Sequence, residues 1–288
     1  MKLITQPQDG LAPLLKAVRK AKKVVDIVIF RFDRTELEEA LEAAVARGVV
    51  VRALIAHTNR GGESKLRKLE MRLLKAGVLV ARTADDLPRY HGKMLIADNV
   101  LYVFGFNYTK LDMEKSRSFG IMTRDKKLLK EAANLYEADT TRKPYVPSHD
   151  RLVVSPETSR ARLAAFIKGA KKQLLIYDAK VSDNGIQKLL MERAKAGVEI
   201  RVIGKLEKTI DGAQARKLAP LRLHVRAMVR DGSSAFIGSQ SLRRLELDKR
   251  REVGVIIANA AIARKIASVF EADWKASAPA KAKATSAA

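Results

Sequence analysis

The chain has 288 residues, 47% of them hydrophobic, no cysteine and a formal net charge of +24. That hydrophobic share excludes a wholly disordered chain. The missing cysteines exclude disulfides, thiolate metal sites and cysteine nucleophiles. No apolar run approaches the roughly 20 residues of a membrane span. The first residues also lack the long apolar stretch of a secretory signal, so a cytoplasmic protein without a transmembrane segment is expected. The positive excess is +9 over residues 1–150 and +15 over residues 151–288, within folded-looking sequence. Such a field attracts nucleic acid, anionic phospholipid surfaces or phosphorylated small molecules.

In chain order, an opening KLITQP is followed by a predicted helix over Pro13–Lys23 and a buried strand over Val24–Phe30. An amphipathic helix over Thr35–Arg47 and a β-branched strand over Val49–Ile55 come next. After a variable segment, two or three strands surround His91, and a helix over Lys126–Glu137 closes the series. The series then repeats. RLVVSP opens at Arg151, a helix is predicted over Arg160–Lys172 and a strand over Gln173–Tyr177. A helix over Gly185–Ala196, a strand over Val198–Ile203, strands around His224 and a helix over Ala260–Asp273 complete it.

The matching blocks are 149 residues apart in the early part of each copy, and 133 or 134 apart from YHGKMLIAD/LHVRAMVRD to YEAD/FEAD. The first copy therefore carries 16 more residues in the variable segment. Self-similarity over nearly the whole chain predicts two copies of one α/β unit packed about a pseudo-twofold axis, each with a largely parallel sheet. The expected division is 1–147, 148–275 and a disordered basic tail over 276–288. Thr140–Arg160, with three prolines, reads as the connection between copies.

The chemistry lies in the repeated block. His91-Gly-Lys93, four residues, Asp98, six residues and Gly105-Phe-Asn107 in the first copy match His224-Val-Arg226, Asp231 and Gly238-Ser239-Gln240 in the second. His and the cation at i and i+2 on a strand point to one face. An imidazole beside a cation suits phosphate held for attack, and Asn107 and Gln240 would add amide donors. The apolar stretches Met94–Ala97 and Val100–Phe104 fit a hairpin returning Asn107 to His91. Asp98 and Asp231, beside Asn99 and Gly232, read as turn residues, and His57 and His149 as surface or loop histidines. The remaining histidines form no metal cluster, and no dinucleotide, P-loop or nucleophile-elbow motif is present.

This arrangement resembles the phospholipase D superfamily, whose signature is H-x-K-x4-D-x6-G-[GS]-x-N. The first copy departs from it at Phe106, and the second at Arg226 and Gln240. The resemblance implies one active site shared by both halves, a phosphohistidine intermediate, and no need of metal or other cofactor. By analogy His91 is the nucleophile and His224 the general acid. It further implies that an acid downstream of one signature orients the histidine of the other, so Glu252 would serve His91, while Ser118 would be the only, uncharged partner of His224. Arg226 keeps the charge of a lysine with bidentate geometry. The expected activity is a phosphodiesterase or phosphatidyltransferase acting on a phospholipid head group or nucleic acid, from a monomer that is an internal pseudo-dimer. A protein that binds phosphates without turnover is the alternative.

Overall fold

The computed structural model describes residues 1–58 and 63–279. The first half runs β1 (Lys2–Gln6), α1 (Ala12–Lys20), β2 (Val24–Ile29), α2 (Thr35–Ala46), β3 (Val50–Ile55), α3 (Glu63–Lys75), β4 (Leu79–Arg82), β5 (Met94–Ala97), β6 (Val100–Phe104), α4 (Lys110–Glu114), β7 (Ser116–Thr123) and α5 (Lys126–Thr141). The second runs β8 (Leu152–Ser155), α6 (Ser159–Lys168), β9 (Gln173–Val181), α7 (Asn184–Lys195), β10 (Glu199–Leu206), β11 (Ala213–Leu218), β12 (Arg222–Leu223), β13 (Arg226–Arg230), β14 (Ser234–Gly238), α8 (Arg244–Asp248), β15 (Glu252–Ile257), α9 (Ala260–Lys275) and β16 (Ser277–Pro279). The extra residues of the first copy include helix α3.

Among the described residues the strands form two eight-stranded sheets, ordered β1-β7-β6-β5-β2-β3-β4, with β12 added beside β7, and β16-β11-β10-β9-β13-β14-β15-β8. The β-α-β stretches pair in parallel, β2 with β3, β3 with β4 and β9 with β10, and β11 pairs in parallel with β10 without an intervening helix. The remaining ladders, including those of the hairpins β5-β6 and β13-β14, are antiparallel, apart from the short β12–β7 pairing. The expectation of largely parallel sheets is corrected: a tight hairpin can only join antiparallel strands, and each half carries one at its centre. Two further expectations change. The span read as a connection contains the end of α5 and all of β8. The span read as a disordered tail begins with β16, which pairs with β11 through Arg216↔Pro279 and Leu218↔Ser277. The rest of that tail, from residue 280, lies outside the described residues.

Three apolar clusters hold these layers. α1, α2 and α3 pack on the outer face of the first sheet through Leu14, Leu41 and Leu69. α6 and α7 cover the second through Leu163, Phe166 and Leu190. The third cluster lies between the halves. It joins Leu135 and Tyr136 of α5, Phe270 and Trp274 of α9, and inward strand residues of both sheets such as Phe119, Tyr177 and Val255. A core drawn from both copies fixes how they face each other.

Each hairpin turns at an aspartate in the left-handed region, φ 49° at Asp98 and 52° at Asp231. Aspartate tolerates that conformation better than most residues, and here its side chain is also used. Asp98 accepts backbone N–H bonds from Lys22, Lys23 and Val24 at 2.9–3.0 Å, and Asp231 from Lys171, Lys172 and Gln173. The repeated Asp thus ties the hairpin to the start of the neighbouring strand. Phe104 N–H then donates to Lys93 C=O at 3.0 Å, which brings the end of β6 back beside the start of β5.

Candidate active site

Both histidines precede a strand of their own half and are hydrogen-bonded to the other. His91 N–H donates to Arg251 C=O at 2.7 Å, and Tyr90 forms a bridge with Arg251. The related contact is β12 on β7, where Leu223 pairs with Arg117 and His224 N–H donates to Arg117 C=O at 3.3 Å. Each anchoring arginine is braced across the halves. Arg251 pairs with Asp139 at 3.1 Å and Arg117 with Asp273 at 2.7 Å. These are the aspartates of YEAD and FEAD, so each repeated block braces the partner copy's arginine, and through it the histidine of its own copy. The signature glycines meet nearby. A Cβ on Gly105 would lie 3.1 Å from Gly238 C=O and 3.0 Å from Ser118 Oγ, so a side chain here would push the neighbouring backbone aside.

His91 Nδ1 lies 2.8 Å from Glu252 Oε2, and both side chains are buried. Phe30 packs edge-on against the imidazole, with centroids 4.6 Å apart. Lys93 is fully buried. Its Nζ donates to His91 C=O at 2.6 Å and stands 5.3 Å from the Phe30 centroid.

His224 has an acid that the sequence did not reveal. Asp112 Oδ2 stands 3.2 Å from its Nδ1, an ion-pair distance without hydrogen-bond alignment. The same carboxylate accepts from Asn107 N–H, Asn107 Nδ2 and Arg222 Nη1. The expectation that Ser118 is the only partner of His224 is corrected: Asp112 stands at the imidazole, and the buried Ser118 Oγ has no hydrogen-bond partner. A signal was available: Asp112 recurs as Glu246 at the same 134-residue spacing that relates Ser118 to Glu252. Glu246, however, binds Arg243 and Arg250.

Arg226 sits opposite Asp178 in the β13–β9 ladder, and its buried Nε and Nη1 have no hydrogen-bond partner. Buried guanidinium donors that no protein group satisfies suit an anion. Ile29 stands at the place of Asp178 in the first half, so the arginine comes with its own buried acid. Asp178 is pushed up by burial and partly drawn back by Ser241, Leu242 N–H and Arg226.

Gln240 is placed differently from the expectation that it lines the cleft. Its Nε2 donates to Val153 C=O at 2.8 Å and to Ser159 Oγ at 3.1 Å. Its Oε1 lies over Gly238 and Gly254, 2.4 Å and 2.7 Å from where their Cβ atoms would be. The backbone gives the reason. Asp33 N–H bonds Tyr108 C=O as Ser182 N–H bonds Leu242 C=O. Tyr108 therefore corresponds to Leu242, Asn107 to Ser241, and Gln240 to Phe106. The first copy is one residue shorter after its glycine, and Ser241, bonded to Asp178, occupies the place of the signature asparagine.

A recess of about 260 Å³ opens beside Asp112, walled by Arg31, Phe32, Lys65, Asn107 and Arg222. His57 and His149 lie away from the site on exposed or half-buried segments. Among the described residues no group of three or more His, Asp and Glu is arranged to hold a metal ion.

A family model described as "Cardiolipin synthase, PLD-like domain" matches residues 14–140 and 163–274. The chain belongs to the phospholipase D-like family. No curated protein matches it at the sequence level. Among solved structures it is similar to a polyphosphate kinase from Porphyromonas gingivalis, with TM-score 0.77 and 16% identity over 95% of this chain and 50% of that one. It thus spans half the length of that enzyme. A phosphatidylserine synthase from Haemophilus influenzae Rd KW20 gives TM-score 0.75 and 9% identity over 97% of this chain and 87% of that one. At these identities the likeness is one of fold, and it is to the two-halved phospholipase D-like fold.

The electrostatics of this phospholipase D-like site favour neutral imidazoles. His91 is held well below the ordinary 6.5, first by burial and then by Lys93, Arg226, Arg250 and Arg89. His224 is held below it by burial, then by Arg226, Lys93, Arg222 and His91. Lys93 and Arg226 thus act on both rings, and His91 acts on His224 as well. Glu252 is pushed up by burial, offset by Lys93, Ser239 and Arg226.

A neutral His91 with Nδ1–H directed at Glu252 leaves Nε2 with a free lone pair. Protonation of His91 removes that lone pair, so kcat/KM should rise with pH through a limb lying below 6.5. Removing a cation raises the pKa of a neighbouring base. Arg226→Gln should therefore move this limb to higher pH, as read from initial rates between about pH 4 and 8.

Proposed function

We propose that this protein is a phospholipase D-type phosphodiesterase that passes through a phosphohistidine on His91, with His224 as general acid. The single observation that carries the reading is the buried His91–Glu252 contact of 2.8 Å, made between the halves and beside Lys93 and Arg226. Glu252 fixes the tautomer and stabilises the imidazolium that forms as Nε2 bonds to phosphorus. Lys93 and the unpartnered donors of Arg226 take the charge on the non-bridging oxygens. Asn107, held by Asp112, lines the recess beside that carboxylate. The leaving oxygen departs with the proton of His224. The negative substrate offsets the cations that keep His224 neutral, so binding itself favours the protonated acid. Water or an alcohol, giving its proton to the now neutral His224, then attacks phosphorus on the opposite side, the P–N bond breaks, and His91 is regenerated with a phosphate monoester or a phosphodiester as product.

The substrate is an anionic phosphodiester, a phospholipid head group or a nucleic acid, drawn in by the basic surface. Positioning residues are Asp112 for His224 and Glu252 for His91, while Gln240 supports the hairpin.

Rapid quenching with a phosphorus-labelled phosphodiester, followed by peptide mapping, tests the reading. Acid-labile label on the peptide containing His91 is the expected result. Label on no histidine, with phosphate binding intact, would favour the alternative of binding without turnover. Since side-chain cations stand where a metal would act, turnover should survive EDTA. Complete loss restored by a divalent ion would show another mechanism.

A further inference from the structure

We infer that the mouth of the cleft docks on an anionic lipid bilayer, with Leu111 and Leu245 entering the acyl boundary. This rests on reading the cleft as a phosphodiester site, and it names lipid as the substrate source.

Leu111 and Leu245 are 49% and 42% exposed, although large apolar side chains are mostly interior in this chain. They correspond at the 134-residue spacing and hold the same place, second in the short helices α4 and α8 that follow the two signature loops. A twofold rotation keeps height along its axis, so the two leucines protrude toward one side of the molecule. Leu111 borders the recess beside Asp112, which marks that side as the mouth.

Exposed cations surround them, namely Lys110 and Lys115 in one half and Arg244 and Lys249 in the other. The nearby acids are engaged. Glu114 pairs with Arg34, Asp248 with Arg160, and Asp33 accepts Lys110 N–H. Asp112 and Glu246 are buried. Paired aliphatic tips within a positive ring complement a bilayer: leucines reach the headgroup–acyl boundary while Lys and Arg stay at the phosphate level. The same leucines offer a nucleic acid neither a hydrogen bond nor a stacking face.

The test uses the full chain and two vesicle types, phosphatidylcholine alone and phosphatidylcholine with about one third phosphatidylglycerol. The protein should sediment with the second type. Leu111→Ser/Leu245→Ser, which leaves the charge unchanged, should lower the partition about tenfold or more. Hydrolysis of soluble bis(p-nitrophenyl) phosphate, read in parallel, reports the catalytic reading separately; its absence in the unaltered protein would sink that reading alone. An unchanged partition in the double variant overturns the docking face. So does binding of a labelled DNA duplex, equal in both proteins, together with no binding to either vesicle. Leu245→Trp gives a second measurement, because the one native tryptophan, Trp274, is only 7% exposed. Its emission should shift to the blue on vesicles containing phosphatidylglycerol, and no shift overturns the inference.

Discussion

His91→Ala should abolish phosphodiester turnover, lowering kcat/KM by about a hundred-thousandfold or more, because no other group can form the covalent intermediate. Binding of the phosphodiester should fall only a few-fold, since Lys93 and Arg226 remain. The variant also leaves Glu252 buried without its partner, a cost to stability. His91→Asn, which fills more of the space and can still face the carboxylate, separates chemistry from folding. Glu252→Gln keeps the shape and removes the charge, and should cost about a thousandfold. Steady-state kinetics with circular dichroism as a folding control measure all three. Turnover within tenfold of the unaltered protein in His91→Ala would remove His91 from the chemistry.

The second large effect is expected at His224, and it depends on the substrate. His224→Ala should cost about a thousandfold when the leaving group is an alkoxide, which needs a proton to depart. With p-nitrophenolate, stable as an anion, the loss should shrink to about tenfold or less. Label should then accumulate on His91 in this variant with a good leaving group when resolution also needs His224 as base. Asp112→Asn should move in the same direction by a smaller factor. Its contact with His224 is 3.2 Å and unaligned, and the carboxylate is shared with Asn107 and Arg222. An equal loss for both leaving groups would take His224 out of the acid role, and label found on His224 would reverse the two histidines.

What the sequence made legible was whatever the repeat imposes twice. The apolar stretches at matched spacing gave the layers, and the His-x-Lys and His-x-Arg pairs gave the heart of the site. The hidden parts depend on contacts across space. Asp112 reaches His224 from another half, and no local pattern announces that. The pairing of Asn107 with Gln240 failed through a one-residue difference in loop length, invisible while blocks are aligned on glycine. Backbone bonds at Tyr108 and Leu242 reveal it. The parallel bias arose because β-α-β stretches are easy to read, whereas most ladders are antiparallel and join strands that are distant in sequence or meet in a hairpin. β16 is three residues of Ser, Ala and Pro, with no apolar alternation to mark a strand.

Each imidazole is anchored by a carbonyl from the opposite copy, so neither copy carries a complete reaction centre. Had the two been separate, identical subunits, every substitution would appear twice, once on each side of the axis. Joining them in one chain lifts that constraint. Lys93 and Arg226, Ser118 and Glu252, Ile29 and Asp178, and Asn107 and Ser241 are four places where the copies have diverged around a shared centre. A fused pair can specialise, one histidine toward bonding phosphorus and the other toward handling a proton, which an exact dimer can do only by taking turns. Covalent linkage thus supplies evolutionary freedom as well as proximity.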